Sequence, residues 1–160
     1  MRSVDGCSCR ISKQHTKDRM MQKLLIGDWD ACKHDAQEIR YEVFVVEQKV
    51  PIELEWDEMD AVSVHAVAYD ENGKAIATGR LLPDGHIGRM AVRKTARGQG
   101  IGTKVLEALM AEARRRGEQA VILSAQTHAE PFYRRFGFVR EGDEFMDAGI
   151  PHIAMRRKFD

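Results

Sequence analysis

Three glycines in five residues, within Arg97-Gly98-Gln99-Gly100-Ile101-Gly102, are the part of this 160-residue chain best suited to chemistry. A strand-like segment, His86-Ile87-Gly88-Arg89-Met90-Ala91-Val92, precedes them, and a helical stretch from Thr103 to Arg116 follows and closes at Gly117. A turn that leaves a strand and opens a helix presents unpaired N–H groups together with the positive end of the helix dipole. Glycine lets such a backbone approach an anion with no Cβ between them. The pattern predicts a site for a phosphorylated cofactor. Spacing narrows which one. A P-loop needs Gly-Lys-Ser/Thr after four residues, but Lys104 follows Thr103 and precedes Val105. A dinucleotide fingerprint needs a third glycine where Thr103 stands, and an acid after the next strand, which runs into Ser124-Ala125-Gln126 instead.

A second motif lies one helix and one strand downstream: Ser124-Ala125-Gln126-Thr127-His128-Ala129-Glu130-Pro131-Phe132-Tyr133-Arg134-Arg135-Phe136-Gly137-Phe138. Taken together, the Arg/Gln-x-x-Gly-x-Gly turn and this Ala-x-x-Phe-Tyr element resemble the two signatures of the GNAT (Gcn5-related N-acetyltransferase) superfamily, across roughly Met21 to Phe159. The segments Arg40-Tyr41-Glu42-Val43-Phe44-Val45-Val46-Glu47-Gln48 and Gly149-Ile150-Pro151-His152-Ile153-Ala154-Met155 resemble its ElaA/YjcF branch.

The resemblance implies an acetyl-CoA-dependent N-acetyltransferase in which an amine of a small molecule or peptide attacks the thioester directly, without a covalent acyl-enzyme. The rival reading is a non-catalytic acyl-CoA sensor that keeps the binding loop. The resemblance places the pyrophosphate on the amides of Arg97, Gly98, Gln99, Gly100, Ile101 and Gly102, with Arg97 or Arg93 near the phosphates. Met90, Ala91 and Val92 would pair with the pantetheine arm like an added strand, and a free N–H there would polarise the thioester oxygen. Gln126 stands where many members carry Asn for the same arm, and Phe132 belongs to the cofactor-binding set. Tyr133 is the candidate general acid, since a phenol near pKa ~10 is protonated at neutral pH. Candidate bases are Glu47, His65, His128 and His152, with Glu47 and His65 preferred. Against them stand structural roles, among them Glu47 as an ion-pair partner of Arg40 or Arg80. Arg80 and Arg89 would orient a substrate carboxylate or satisfy acids between strands.

These residues require a scaffold, and the chain supplies the pattern for one. The expected fold is α/β (α+β): a mixed, mostly antiparallel, twisted sheet of six to seven strands flanked by helices, in one domain over residues 21–160. Residues 1–20 lack apolar periodicity and read as a flexible extension. Strands are expected over Gln22–Trp29, Val62–Tyr69, Ala75–Leu82 and His86–Val92, with turns at Asn72-Gly73 and Pro83-Asp84-Gly85. Lys33 to Glu47 reads as a helix with Ile39, Val43 and Val46 on its buried face. The helix Gly100–Arg116 buries Ile101, Val105, Leu106, Leu109 and Met110. Two antiparallel strands joined at Asp147-Ala148-Gly149 end the chain, and exposed strand edges there would allow a homodimer. The acidic run Glu53, Glu55, Asp57, Glu58, Asp60 is either a solvated loop or a lure for a cationic amine.

Charge is balanced at 25 basic and 25 acidic residues, which gives no global field to recruit nucleic acid or an anionic membrane. No apolar run reaches a membrane span and no signal-peptide stretch opens the chain. Cys7, Cys9 and Cys32 have no metal spacing and read as free thiols of a cytoplasmic protein without a metal.

Overall fold

Strand alternation sets the layers. In β2 (Val64–Tyr69) Ala66 and Ala68 join one apolar cluster while Val67, between them, joins another, so both faces of the sheet are covered. The computed structural model describes residues 21–160; the extension expected over residues 1–20 lies outside them. The seven strands are β1 (Lys23–Gly27), β2, β3 (Ala75–Leu81), β4 (His86–Val92), β5 (Ala120–Gln126), β6 (Val139–Asp147) and β7 (Ile150–Lys158). They lie in the order β1-β2-β3-β4-β5-β7-β6, and every neighbouring pair is antiparallel except β4 with β5. This is the expected mixed sheet with its upper strand number. Strand β3 is buried along its whole length, as a central strand with both faces covered must be.

Helix α1 (Trp29–Arg40) covers one face through Cys32, Ala36 and Ile39, and Asp28 caps it by accepting from the Ala31 N–H. It starts four residues earlier than the periodicity indicates, because the cap lies at Asp28. Its continuation, Tyr41–Glu47, is π-helical, and the Gln48 N–H reaches back five residues to the Val43 carbonyl. The wider turn breaks the 3.6-residue register. Ile39 and Val43 stay buried, whereas Val46 swings out to 49% exposure. The acidic stretch is not a plain loop: it holds a one-turn helix α2 (Ile52–Glu55) and a 3₁₀ turn at Glu58–Val62.

Helix α3 (Ile101–Arg115) covers the other face with all five expected residues, Ile101, Val105, Leu106, Leu109 and Met110. Each such side chain contributes about 1.5–3 kcal/mol on burial. That sum outweighs the ~1 kcal/mol cost of Gly102 inside the first turn, so packing fixes where the helix begins. Gly79 is demanded by the same packing, since a Cβ there would stand 2.6 Å from Met90 Sδ and 2.9 Å from Leu109 Cδ1. The short α4 (Glu130–Arg134) follows β5 through a 3₁₀ turn at Thr127–Ala129. No helix among the described residues is long and apolar enough to cross a membrane.

Candidate functional site

The site forms where two parallel strands part. Strands β4 and β5 pair only at His86 with Ile122 and at Ile87 with Leu123; beyond that point the ladder stops. A bulge supplies the bend. Arg89 and Met90 together oppose Gly79 of β3, shifting the register by one residue, and Arg89 takes a left-handed φ of 49°. That conformation costs a side-chain-bearing residue about 1–2 kcal/mol. Arg89 offsets it with guanidinium hydrogen bonds to the Leu54 and Glu55 carbonyls and to Asp57 Oδ2.

The gap runs into the glycine turn. Gly98 and Gly100 both have φ 78°, and a Cβ at either would meet nothing within 4 Å, so a side chain would project into open space. Gly100 is the N-cap of α3, and no side chain caps that helix. Its first N–H groups and dipole are therefore left for an anion. Arg97 stands at the turn, with Nε on the Val92 carbonyl at 2.9 Å and Nη2 on Glu47 Oε1 at 2.8 Å.

At the opposite wall, which Glu55, Arg80 and Arg89 help to line, acids and arginines pair with one another, leaving Glu55 Oε2 and Arg80 Nε buried without a partner. Arg40, 1% exposed, donates to Glu55 Oε1 at 2.5 Å and to both oxygens of Asp60. Arg80 donates to Asp60 Oδ1 and, through two nitrogens, to both oxygens of Asp57. With Arg89, three cations meet three carboxylates. The Arg80 hydrogen bond, helped by the charges of Arg80 and Arg89, holds the Asp57 carboxyl at about 2, below its ordinary 3.8. Burial pushes Asp60 up, but its bonds to Arg40 and Arg80 outweigh burial and leave it lowered. The solvated reading of the acidic run holds for Glu53 and Glu58 and not for Glu55 and Asp60. Glu55 and Asp60 are buried and neutralised, and only Glu53 and Glu58 point freely to solvent. Arg80 and Arg89 satisfy acids between elements, and both also line the cleft.

The cleft enclosed by these parts measures about 940 Å³, in the range of a large ligand site. Its walls bring together Glu47, Met90, Ala91, Val92, Arg97, Gly98, Gly100, Ile101, Gly102, Gln126, Phe132 and Tyr133, all expected from the sequence. Tyr133 packs edge-on against Phe132 and Phe138, and desolvation alone pushes its phenol up to about 12. Among the described residues nothing accepts from its hydroxyl, so the phenol stays protonated and free to donate. Gln126 exchanges hydrogen bonds with Gln48 across the cleft and accepts from His128 Nε2 at 2.7 Å.

Three expected residues lie elsewhere. His65 is 1% exposed beneath Trp29, with Nε2 on the Asp60 carbonyl, and it does not reach the cleft. Its place on β2 turns it into the face that α1 covers, and burial holds its pKa below the ordinary 6.5. Arg93 faces away from the phosphate turn. It is buried with Nε on the Ala75 carbonyl and its other nitrogens on Glu38 and Glu42, tying α1 to the sheet. Gln99 sits exposed at the tip of the turn, outside the cleft lining. Glu47 does enter the cleft, but paired with Arg97 rather than with Arg40 or Arg80. Sequence reasoning gave no role to Phe44, Val50, Leu54 and Ile150, which wall the far end, or to Arg135 beside Phe132. Phe44 was visible within the Arg40–Gln48 segment, but nothing in its spacing marks it as a wall rather than core.

Comparison with known proteins agrees with this geometry. Residues 29–159 match the family described as acetyltransferase (GNAT) domain. The chain is 43% identical over 139 residues to the Uncharacterized N-acetyltransferase YjcF of Bacillus subtilis, covering 84% of this chain and 99% of that protein. The crystal structure of an acyl-CoA N-acyltransferase from Pseudomonas aeruginosa superposes with TM-score 0.76 at 35% identity, covering 84% and 98% of the two chains. That of Escherichia coli ElaA gives TM-score 0.76 at 26% identity, covering 85% and 99%.

Proposed function

We propose, from the premise that this chain belongs to the acetyltransferase (GNAT) family, that it transfers an acetyl group from acetyl-CoA directly to an amine of a small molecule or peptide. The observation that carries the reading is the parting of β4 from β5 into an uncapped helix N-terminus, within one cleft. Acyl-CoA supplies an acyl group already activated as a thioester. The residues suited to holding it are those at the opening: the amides of Gly98 to Gly102 with Arg97 for the phosphates, and the unpaired edge of β4 from Gly88 to Val92 for the extended arm. Glu47 positions Arg97 at the turn. Phe132 and Tyr133 wall the gap from α4.

Direct transfer is supported by what the cleft holds. Cys32, the free thiol among the described residues, is fully buried away from it. Ser124 lines the cleft with no base hydrogen-bonded to it, so the arrangement lacks an activated nucleophile. Tyr133 lines the cleft, and desolvation pushes its phenol up to about 12, which suits a proton donor to a departing thiolate. The far end of the cleft, walled by Phe44, Val50, Leu54 and Ile150 beside neutralised acids, suits an amine carried on a partly apolar body.

The test is incubation with acetyl-CoA and a pool of polyamines, amino acids, aminoglycosides, arylalkylamines and peptides with free N-termini, read by mass spectrometry. Acetylation of one class establishes the transferase and its acceptor. Tight acetyl-CoA binding with no acetylated product would favour the sensor.

A further inference from the structure

The proposed reaction requires a base for the attacking amine, and the two residues favoured by sequence are both committed elsewhere. His65 is buried outside the cleft, and the Glu47 carboxylate is held by Arg97 at 2.8 Å. Glu55 lies under Arg40. Three histidines line the cleft: His86, His128 and His152. His86 Nδ1 stands 2.9 Å from Asp84 Oδ1, at the closed end where β4 and β5 still pair. His128 is exposed.

His152 differs from both. It lies opposite Gln126 in the β5–β7 register, at the open end of the gap. Its ring stacks on Phe145 at 5.8 Å between centroids, with 24° between the planes. Nδ1 is 2.7 Å from the Ile150 carbonyl oxygen. A carbonyl can only accept, so Nδ1 carries the proton. The neutral ring then has its lone pair on Nε2, on a side chain that lines the cleft.

We infer that His152 Nε2 is the general base of the acyl transfer, its tautomer set by the Ile150 carbonyl and its ring plane by Phe145. The inference rests on the transferase reading above. As the N–C bond forms, His152 Nε2 takes the proton that the neutral amine loses. As the C–S bond breaks, Tyr133 Oη supplies the proton that the thiolate takes. Solvent then removes the first proton and returns the second, so the net change is amine and thioester to amide and thiol.

A base that must be neutral makes the rate fall as the pH is lowered. Other titratable groups stand on the elements packed against this end of β7: Glu144 and Asp147 from β6, and His128 from the turn after β5. Glu47 and Tyr133 share the cleft. An acid limb is assigned to His152 only if it vanishes with that imidazole.

The experiment pairs two readouts on the full chain. Long-range ¹H–¹⁵N spectra of the wild type, with His152→Gln for assignment, read the tautomer with no acceptor present. Thiol release from acetyl-CoA with a pool of spermidine, tyramine, kanamycin and a free-N-terminal peptide reads the rate against pH, with the acetyl-CoA Kd measured alongside. We expect the Nδ1–H tautomer, a drop in kcat of roughly 100-fold or more in His152→Gln, loss of the acid limb, and an unchanged Kd. A wild-type Nε2–H tautomer would overturn the inference, and so would release by His152→Gln within threefold of wild type. Wild type that binds acetyl-CoA yet releases no thiol would overturn the transferase reading itself, and the base role with it.

Discussion

Two regions of this molecule concentrate charged and polar groups, and they treat them in opposite ways. Around Glu55, Asp57 and Asp60 each carboxylate meets an arginine, and Arg40 has almost no contact with water. At Arg97 to Gly102 the helix N-terminus has no cap, and Gly98 and Gly100 face open space. The first region is paired largely within its own chain; the second leaves its helix N-terminus uncapped. Composition does not separate them, since the closed region carries far more charge. What separates them is how far their polar groups find partners within the fold; in the first, Glu55 Oε2 and Arg80 Nε are the buried exceptions.

The sharpest way to break this contrast is Arg40→Ala. It would leave Glu55 and Asp60 buried without their shared cation, a loss on the order of 3–5 kcal/mol. Chemical denaturation should show it beside Arg115→Ala, whose exposed pair with Glu112 is screened by solvent and should matter far less. Equal effects of the two substitutions would mean that the closed region is solvated after all.

Next in size is Tyr133→Phe, which removes an unpartnered polar group at the open region. Losing one hydrogen bond to a developing charge costs about 1.5–3 kcal/mol, or roughly 10- to 100-fold in kcat. The acetyl-CoA Kd should hold. Unchanged turnover would assign the ring to packing with Phe132 and Phe138.

The smallest effect lies in acid. Asp57 has a folded value of about 2 against an ordinary 3.8, so its stabilisation is complete above about pH 4 and lost as pH falls toward 2. Its side chain is a third exposed, which keeps the loss small. Melting temperature should therefore fall more steeply between pH 4 and 2 in wild type than in Asp57→Asn, and parallel curves would remove Asp57 from the network's acid response.

Legibility in the sequence followed the same division. The glycine turn was readable because glycines and a strand–helix boundary record backbone conformation directly. The α3 core was readable because Ile101, Val105, Leu106, Leu109 and Met110 follow an undistorted helical period. Val46 was misplaced because the π-helical turn after Arg40 changes that period with no residue to announce it. The bend in β4 was hidden for a related reason: its left-handed position is Arg89, not a glycine. The acidic stretch looked solvent-facing because Arg40, Arg80 and Arg89 come from three other elements and meet it only in the fold. His65 is a candidate base by residue type, and type alone does not reveal that its ring lies under Trp29 and outside the cleft, whereas Glu47 does line it.

The central claim is that the open turn is where the phosphorylated cofactor docks. Calorimetric titration of acetyl-CoA into wild type and Gly100→Glu tests it most directly. The substitution adds an acidic side chain whose Cβ meets nothing within 4 Å, at a left-handed position that costs about 1–2 kcal/mol of stability. Wild type should bind, and Gly100→Glu should remain folded with a Kd raised at least tenfold, about 1.4 kcal/mol. An unchanged dissociation constant would take the turn out of the site and contradict the account.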